Sequence, residues 1–203
     1  KIGPTGLRIA NRIGGALPLF LGYDPGGRAK NGVAAIRLDS YSLEVVDTAT
    51  VRDAAQAMQW LSAHPANAEA LGIDTLLAWS PKGGRACDDA LRRWYGGNSV
   101  VAQNSLYSAM TINGAIVARR IGLPAYESHP KLLLRLPAAD AIRPFYEKSI
   151  AQGHGDHEGD AIVAAWCAAM GHTRSWKSDL FSDIDDDIER VVPAASYPWF
   201  EPV

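Results

Sequence analysis

An apolar run beginning at Leu19 closes on Asp24-Pro25-Gly26-Gly27, and this predicts a strand over Leu19–Asp24 ended by a turn. Residues 32–38 and 42–47 follow as strands with Asp39-Ser40 between them, so closely spaced that only an antiparallel meander connects them. From Val51 the period lengthens. Val51, Ala54, Ala55, Met58, Trp60 and Leu61 recur near 3.6 and Pro65 stops them, predicting a helix over 51–64. The near-continuous apolar character of 70–77 reads as a buried parallel strand. Helices are expected over Ala86–Tyr95 and Ser105–Ile121, the second closed by Gly122 and Pro124. A short strand over 125–128 carries Glu127 and is stopped by Pro130. A helix over 138–151, with Pro144 as a kink, precedes a strong helix over 157–170 with Asp156 as N-cap and Gly171 at its end. This order predicts an α/β domain, a mixed sheet with helices on its faces.

The 203 residues suit one domain, with a core over about 19–172 and an extension over 173–203. No apolar run approaches the length of a membrane-spanning helix, and the best candidate is broken by Pro18. Cys87 and Cys167 are two lone thiols, so no disulfide framework is indicated and a reducing cytoplasm is the expectation. A net charge of −2 excludes a broadly basic nucleic-acid coat but not a local basic groove.

The chemistry gathers in the acids. Asp24 ends the first strand; Asp74 lies among Leu71, Ile73, Leu76 and Leu77, where a charge is costly without a partner. Glu127 precedes His129-Pro130. Asp156 and Asp160 share a helical stripe with Val163, Ala164, Cys167 and Ala168, which turns both toward the sheet. These carboxylates converge at the carboxyl ends of adjacent parallel strands, where α/β sheets place their sites. Like charges so close need a hard cation, and oxygen ligands favour Mg²⁺ or Mn²⁺. Each acid alone also has a structural reading, Asp24 as a turn former and Asp156 as a cap.

Asp24 in Leu-Gly-Tyr-Asp-Pro-Gly-Gly, Asp74 in Gly-Ile-Asp-Thr-Leu, Glu127 in Tyr-Glu-Ser-His-Pro, and His157-Glu158-Gly159-Asp160-Ala161 together resemble the RNase H-like superfamily. The closer resemblance is to a predicted-nuclease branch, a domain-of-unknown-function group related to the Holliday-junction resolvases, which Arg85-Ala-Cys-Asp88 and Arg92 also resemble. After Asp74 the chain reads Thr75-Leu76-Leu77, where that branch more often has a small residue and proline. The resemblance implies a five-stranded mixed sheet in the order 3-2-1-4-5 with one antiparallel strand. It also implies metal-dependent phosphodiester hydrolysis of nucleic acid. Asp24 would bridge two metal ions, Asp74 and Asp160 would each hold one, and Glu127 or Asp156 would serve as outer ligand or water-orienter.

Lys82, Arg85, Arg92 and Lys131 fall near the proposed cleft as phosphate-binding candidates, and His157 as a proton shuttle or phosphate contact. The glycine-rich stretch 24–32 invites a third reading, an ATP-binding phosphotransferase of the actin and sugar-kinase type. A non-catalytic scaffold that keeps the fold is the second. Ion pairing of the acids with Arg85 or Arg92 would favour it. The acid run 183–189 reads as a solvated helix start. The apolar, proline-broken tail from Tyr197 either wraps onto the domain or docks on a second copy, so a homo-oligomer stays open.

Overall fold

The computed structural model describes residues 17–39, 42–64, 67–96, 105–184 and 187–202. Its elements run β1 Leu19–Asp24, β2 Asn31–Leu38, β3 Leu43–Val51, α1 Ala54–Ala63, β4 Ala68–Ile73, β5 Ala78–Trp79, α2 Ala86–Tyr95 and α3 Ser105–Ile121. They continue with β6 Ala125–Glu127, α4 Pro130–Leu133, α5 Arg143–Ala151, α6 Gly155–His172, β7 Ser178–Asp179, α7 Leu180–Asp183, β8 Glu189–Arg190 and β9 Pro198–Trp199.

The main sheet has the order β3-β2-β1-β4-β6, with β2 antiparallel to both neighbours and β1, β4 and β6 parallel. This is the strand order expected above, with one strand antiparallel to its neighbours; Ala78–Trp79 forms a short strand outside it, so the expected fifth strand is β6. Along β1 the side chains alternate faces. Leu19, Leu21 and Tyr23 are buried on one side, Phe20 and Asp24 on the other.

Helix α6 lies on the second face, and glycines let it approach. A Cβ at Gly22 would stand 1.9 Å from Ala161 O, one at Gly32 1.9 Å from His157 O, and one at Gly72 1.8 Å from Ala164 O. Three adjacent strands therefore meet the helix backbone with no side chain between. α6 is buried from Glu158 through Met170, which its all-round apolar sequence requires. α3 packs on the opposite face, where Gly114 meets Ile73 and Thr75, and α1 lies beside it. Asp53 caps α1 by accepting from Gln56 N.

Several boundaries differ from the expectation. β4 ends at Ile73, leaving Asp74 just beyond the strand, because its N–H still bonds Tyr23 O while Thr75 N turns back to Ile73 O. α6 starts at Gly155, so Asp156 sits in the first turn and is not the N-cap. The acid run does not start a helix. Asp183 ends α7 and Glu189 begins β8, because Asp179 takes the capping role by accepting from Phe181 N; Asp185 and Asp186 lie outside the described residues. The tail wraps back. Ser196 N bonds Ala125 O and Glu127 N bonds Ser196 O along the free edge of β6, while Tyr197 and Trp199 are buried. No described helix is long and apolar enough to cross a membrane.

Candidate functional site

Parallel strands end at one edge of a sheet, so the ends of β1 and β4 stand side by side. Asp24 is the last residue of β1 and is buried; Asp74 follows the last residue of β4. The seat of α6 on Gly22 and Gly32 brings Asp160, the third residue of the helix's buried part, over the same edge. The three carboxylates feel one another. Burial first, then Asp24 and Asp160, hold Asp74 well above the ordinary carboxylate value. Burial pushes Asp160 up to about 7, outweighing the pull of Lys131 in the other direction. Burial likewise raises Asp24, opposed by its hydrogen bond to His157.

Two basic side chains serve this cluster. Lys131, on α4, places Nζ 2.8 Å from Asp160 Oδ2, 3.4 Å from Asp156 Oδ2 and 2.9 Å from the Tyr146 hydroxyl. Burial opposes its charge, but Asp160 prevails and holds Lys131 above its ordinary value. His157 Nδ1 stands 2.7 Å from Asp24 Oδ2, and that bond raises the imidazole. Asp156 stays at the rim, its side chain more than half exposed.

Glu127 has a different setting. It is fully buried and both oxygens are engaged: Arg85 donates from NH1 at 2.9 Å and NH2 at 2.7 Å, Leu77 N at 2.7 Å and His129 Nε2 at 3.0 Å. Although burial alone would raise it, Arg85 and His129 hold the Glu127 carboxyl down at about 2. Arg85 is itself buried, completing the network on Asp88 and Ala78 O. Burial works against the charge on Arg85, and Glu127 and Asp88 outweigh it. The phosphate-binding expectation for Arg85 therefore does not describe this residue, since its guanidinium is turned inward and occupied. Lys82 pairs with Asp187 and Arg92 with Asp89 at 2.8 Å, both on the exposed surface.

The sequence reading expected Asp24, Asp74 and Asp160 to converge, and the structure sets them near enough to shift one another's carboxyls. It missed that Lys131 pairs with Asp160, and it held ion pairing with Arg85 only as the condition favouring a scaffold, without assigning that pairing to Glu127. The four-residue span Arg85-Ala-Cys-Asp88, with opposite charges three apart at a helix start, was the readable signal for the second. Nothing local announced the first.

Among the described residues no three histidine, cysteine, aspartate or glutamate side chains form a ready-made metal-holding group. The donor chemistry nonetheless suits a hard divalent cation. Asp24, Asp74 and Asp160 offer only oxygens, and Asp160 Oδ1 is buried without a hydrogen-bond partner.

No family model and no curated protein matches the chain. Among solved structures it is similar to Thermus thermophilus RuvC in complex with a Holliday junction substrate, with a TM-score of 0.47 and 13% identity over 89% of this chain and 99% of that one. It is also similar to a second Thermus thermophilus RuvC structure, with a TM-score of 0.42 and 13% identity over 81% of this chain and 95% of that one.

Proposed function

We propose that the chain is a divalent-metal-dependent nuclease that hydrolyses nucleic-acid phosphodiester bonds. One observation carries the reading: Asp24, Asp74 and Asp160 meet at one sheet edge, each raised first by burial, with a buried Asp160 oxygen left unpartnered. Asp24, Asp74 and Asp160 would hold Mg²⁺ or Mn²⁺, with Asp156 at the rim as an outer group. Such an ion supplies Lewis acidity and a water of lowered pKa.

The chain's own residues do the rest. Asp24 keeps a proton or a charge according to the state of His157, which is hydrogen-bonded to it and half-buried, so the pair can take up a proton at the sheet edge. Lys131 contests Asp160 Oδ2 with any incoming cation and offsets the repulsion among the carboxylates. Glu127 is a positioning residue. It fixes Leu77 N in the loop after Asp74 and holds His129, whose Nδ1 stands 3.9 Å from Asp74 Oδ1.

A non-catalytic binding module is the second reading, favoured by the charge balance that Lys131 and Arg85 already supply. Calorimetric titration with Mn²⁺ decides between them, on the wild type and on Asp24→Asn, followed by cleavage assays on branched, single-stranded and hybrid nucleic acid. Metal binding lost in the variant, with metal-dependent cleavage by the wild type, supports the nuclease. No metal-dependent cleavage of any of these substrates returns the protein to the second reading.

A further inference from the structure

The β1–β2 hairpin that follows Asp24 faces α3 across a groove of about 450 Å³, lined by Gly26, Arg28, Arg52, Asp53, Met110 and Asn113 among others. Its hairpin wall is fixed. Asn31 spends its whole side chain on the hairpin, accepting from Tyr23 OH at 2.8 Å and Gly26 N at 3.3 Å and donating to Gly27 O at 3.0 Å and Arg52 O at 3.4 Å. A Cβ at Gly26 would fall 1.6 Å from Lys30 O, so the turn admits no other residue there. The groove's one carboxylate is already engaged. Asp53 Oδ1 caps α1 and Oδ2 takes Arg52 Nε at 2.9 Å. That leaves the terminal nitrogens of Arg52 and the whole exposed guanidinium of Arg28, which has no acidic partner among the described residues. Met110 and Asn113 supply an apolar and an amide surface opposite.

Both walls adjoin the end of the sheet that carries the carboxylates, on its α3 side. The hairpin starts one residue after Asp24, and α3 packs through Gly114 on Thr75, the neighbour of Asp74. We propose that this groove holds the sugar-phosphate backbone of a nucleic-acid strand on its way to the carboxylate edge, with Arg28 and Arg52 on successive phosphates. The proposal rests on the nuclease reading for its destination but not for its binding test. Phosphate contacts fix the register of a strand without reading its sequence, so the groove predicts affinity that is salt-dependent and indifferent to base order.

The test is fluorescence anisotropy with a labelled single-stranded DNA oligonucleotide, in chelator, for the wild type, Arg28→Ala, Arg52→Ala and the double variant. Arg37→Ala, at the far end of β2, is the matched loss of charge. The double variant should bind about tenfold or more weakly, with the log-affinity against log-salt slope shallower by roughly 0.7 per lost contact. Arg37→Ala should bind as the wild type does. Equal affinity for the double variant and the wild type, or equal losses in the double variant and Arg37→Ala, overturns the groove. So does competition by ATP at an affinity above that of the oligonucleotide, which would make it a nucleotide site. Mn²⁺ titration separates the two claims. A wild type that binds DNA through Arg28 but binds no metal and cleaves nothing keeps the groove and loses the nuclease; one that binds metal and cleaves but is insensitive to Arg28 does the reverse.

Discussion

Arg85→Ala tests whether Glu127 is structural or chemical. The substitution removes two charge-assisted hydrogen bonds, at 2.7 and 2.9 Å, from a carboxylate with no exposure to solvent. It leaves Glu127 only Leu77 N and His129, and an uncompensated buried charge costs about 3–5 kcal/mol. A second route gives a similar size. Lowering the Glu127 carboxyl from 4.5 to about 2 corresponds to about 3 kcal/mol in favour of the folded state at neutral pH. Because the folded value is depressed, that contribution is complete above about pH 4.5 and is lost as pH falls toward 2. The loss in Arg85→Ala should thus be largest at pH 7 and shrink in acid. Against a total of about 5–15 kcal/mol it is a large fraction of the stability, and it lowers Tm by roughly 10 °C in a chain of this size. Urea denaturation followed by tryptophan fluorescence at pH 7 and pH 3 measures it. A loss below about 1 kcal/mol for Arg85→Ala, or one that does not shrink in acid, would refute the structural assignment.

Asp24→Asn should abolish calorimetric Mn²⁺ binding and any metal-dependent cleavage while changing Tm by little, because asparagine is isosteric and the buried site is relieved of a charge. Lys131→Ala should raise Mn²⁺ affinity several-fold by calorimetry, since Nζ no longer contests Asp160 Oδ2; unchanged or weaker binding would show that the two do not compete. In chelator, stability should fall as pH rises from about 5 to 8, because Asp160 is raised to about 7 and the folded state holds its proton more tightly than the unfolded chain. Thermal scans at both ends of that window check it, and Asp160→Asn should flatten the slope. Gly72→Ala should destabilise by at least about 2 kcal/mol in denaturant titration, because the added methyl meets Ala164 O at 1.8 Å and backbone cannot step aside as a side chain can.

The strand pattern was legible because burial enforces it. β1 matches its expected bounds, and the meander and the sheet order follow from short turns and from the parallel reading of β4. Asp24, Asp74 and Asp160 could be placed together for the same reason. Two sit at parallel strand ends, and the third lies on a helix whose apolar stripe has one surface to cover. The partners of these acids were not legible. Lys131 reaches Asp160 across 29 positions of chain, through a short helix that starts at Pro130 and has no periodicity to announce it. Arg85 looked like a surface cation because sequence shows its charge and not its depth. Asp156 resembled an N-cap because its residue type favours caps, yet α6 begins one residue earlier at Gly155, whose φ of 75° only glycine adopts readily.

The glycine seat beneath α6 has a mechanical consequence. Where side chains interdigitate, small voids let a helix shift against its sheet under load. At Gly22, Gly32 and Gly72 main chain rests on main chain, and there is nothing left to compress. Hydrostatic pressure acts on folded proteins through the void volume it can eliminate, so it should deform the β3 edge and the surface loops before it alters the spacing of Asp160 over Asp24. The carboxylate edge is thus a fixed gauge in an otherwise yielding molecule, and its geometry should be the last to change short of unfolding.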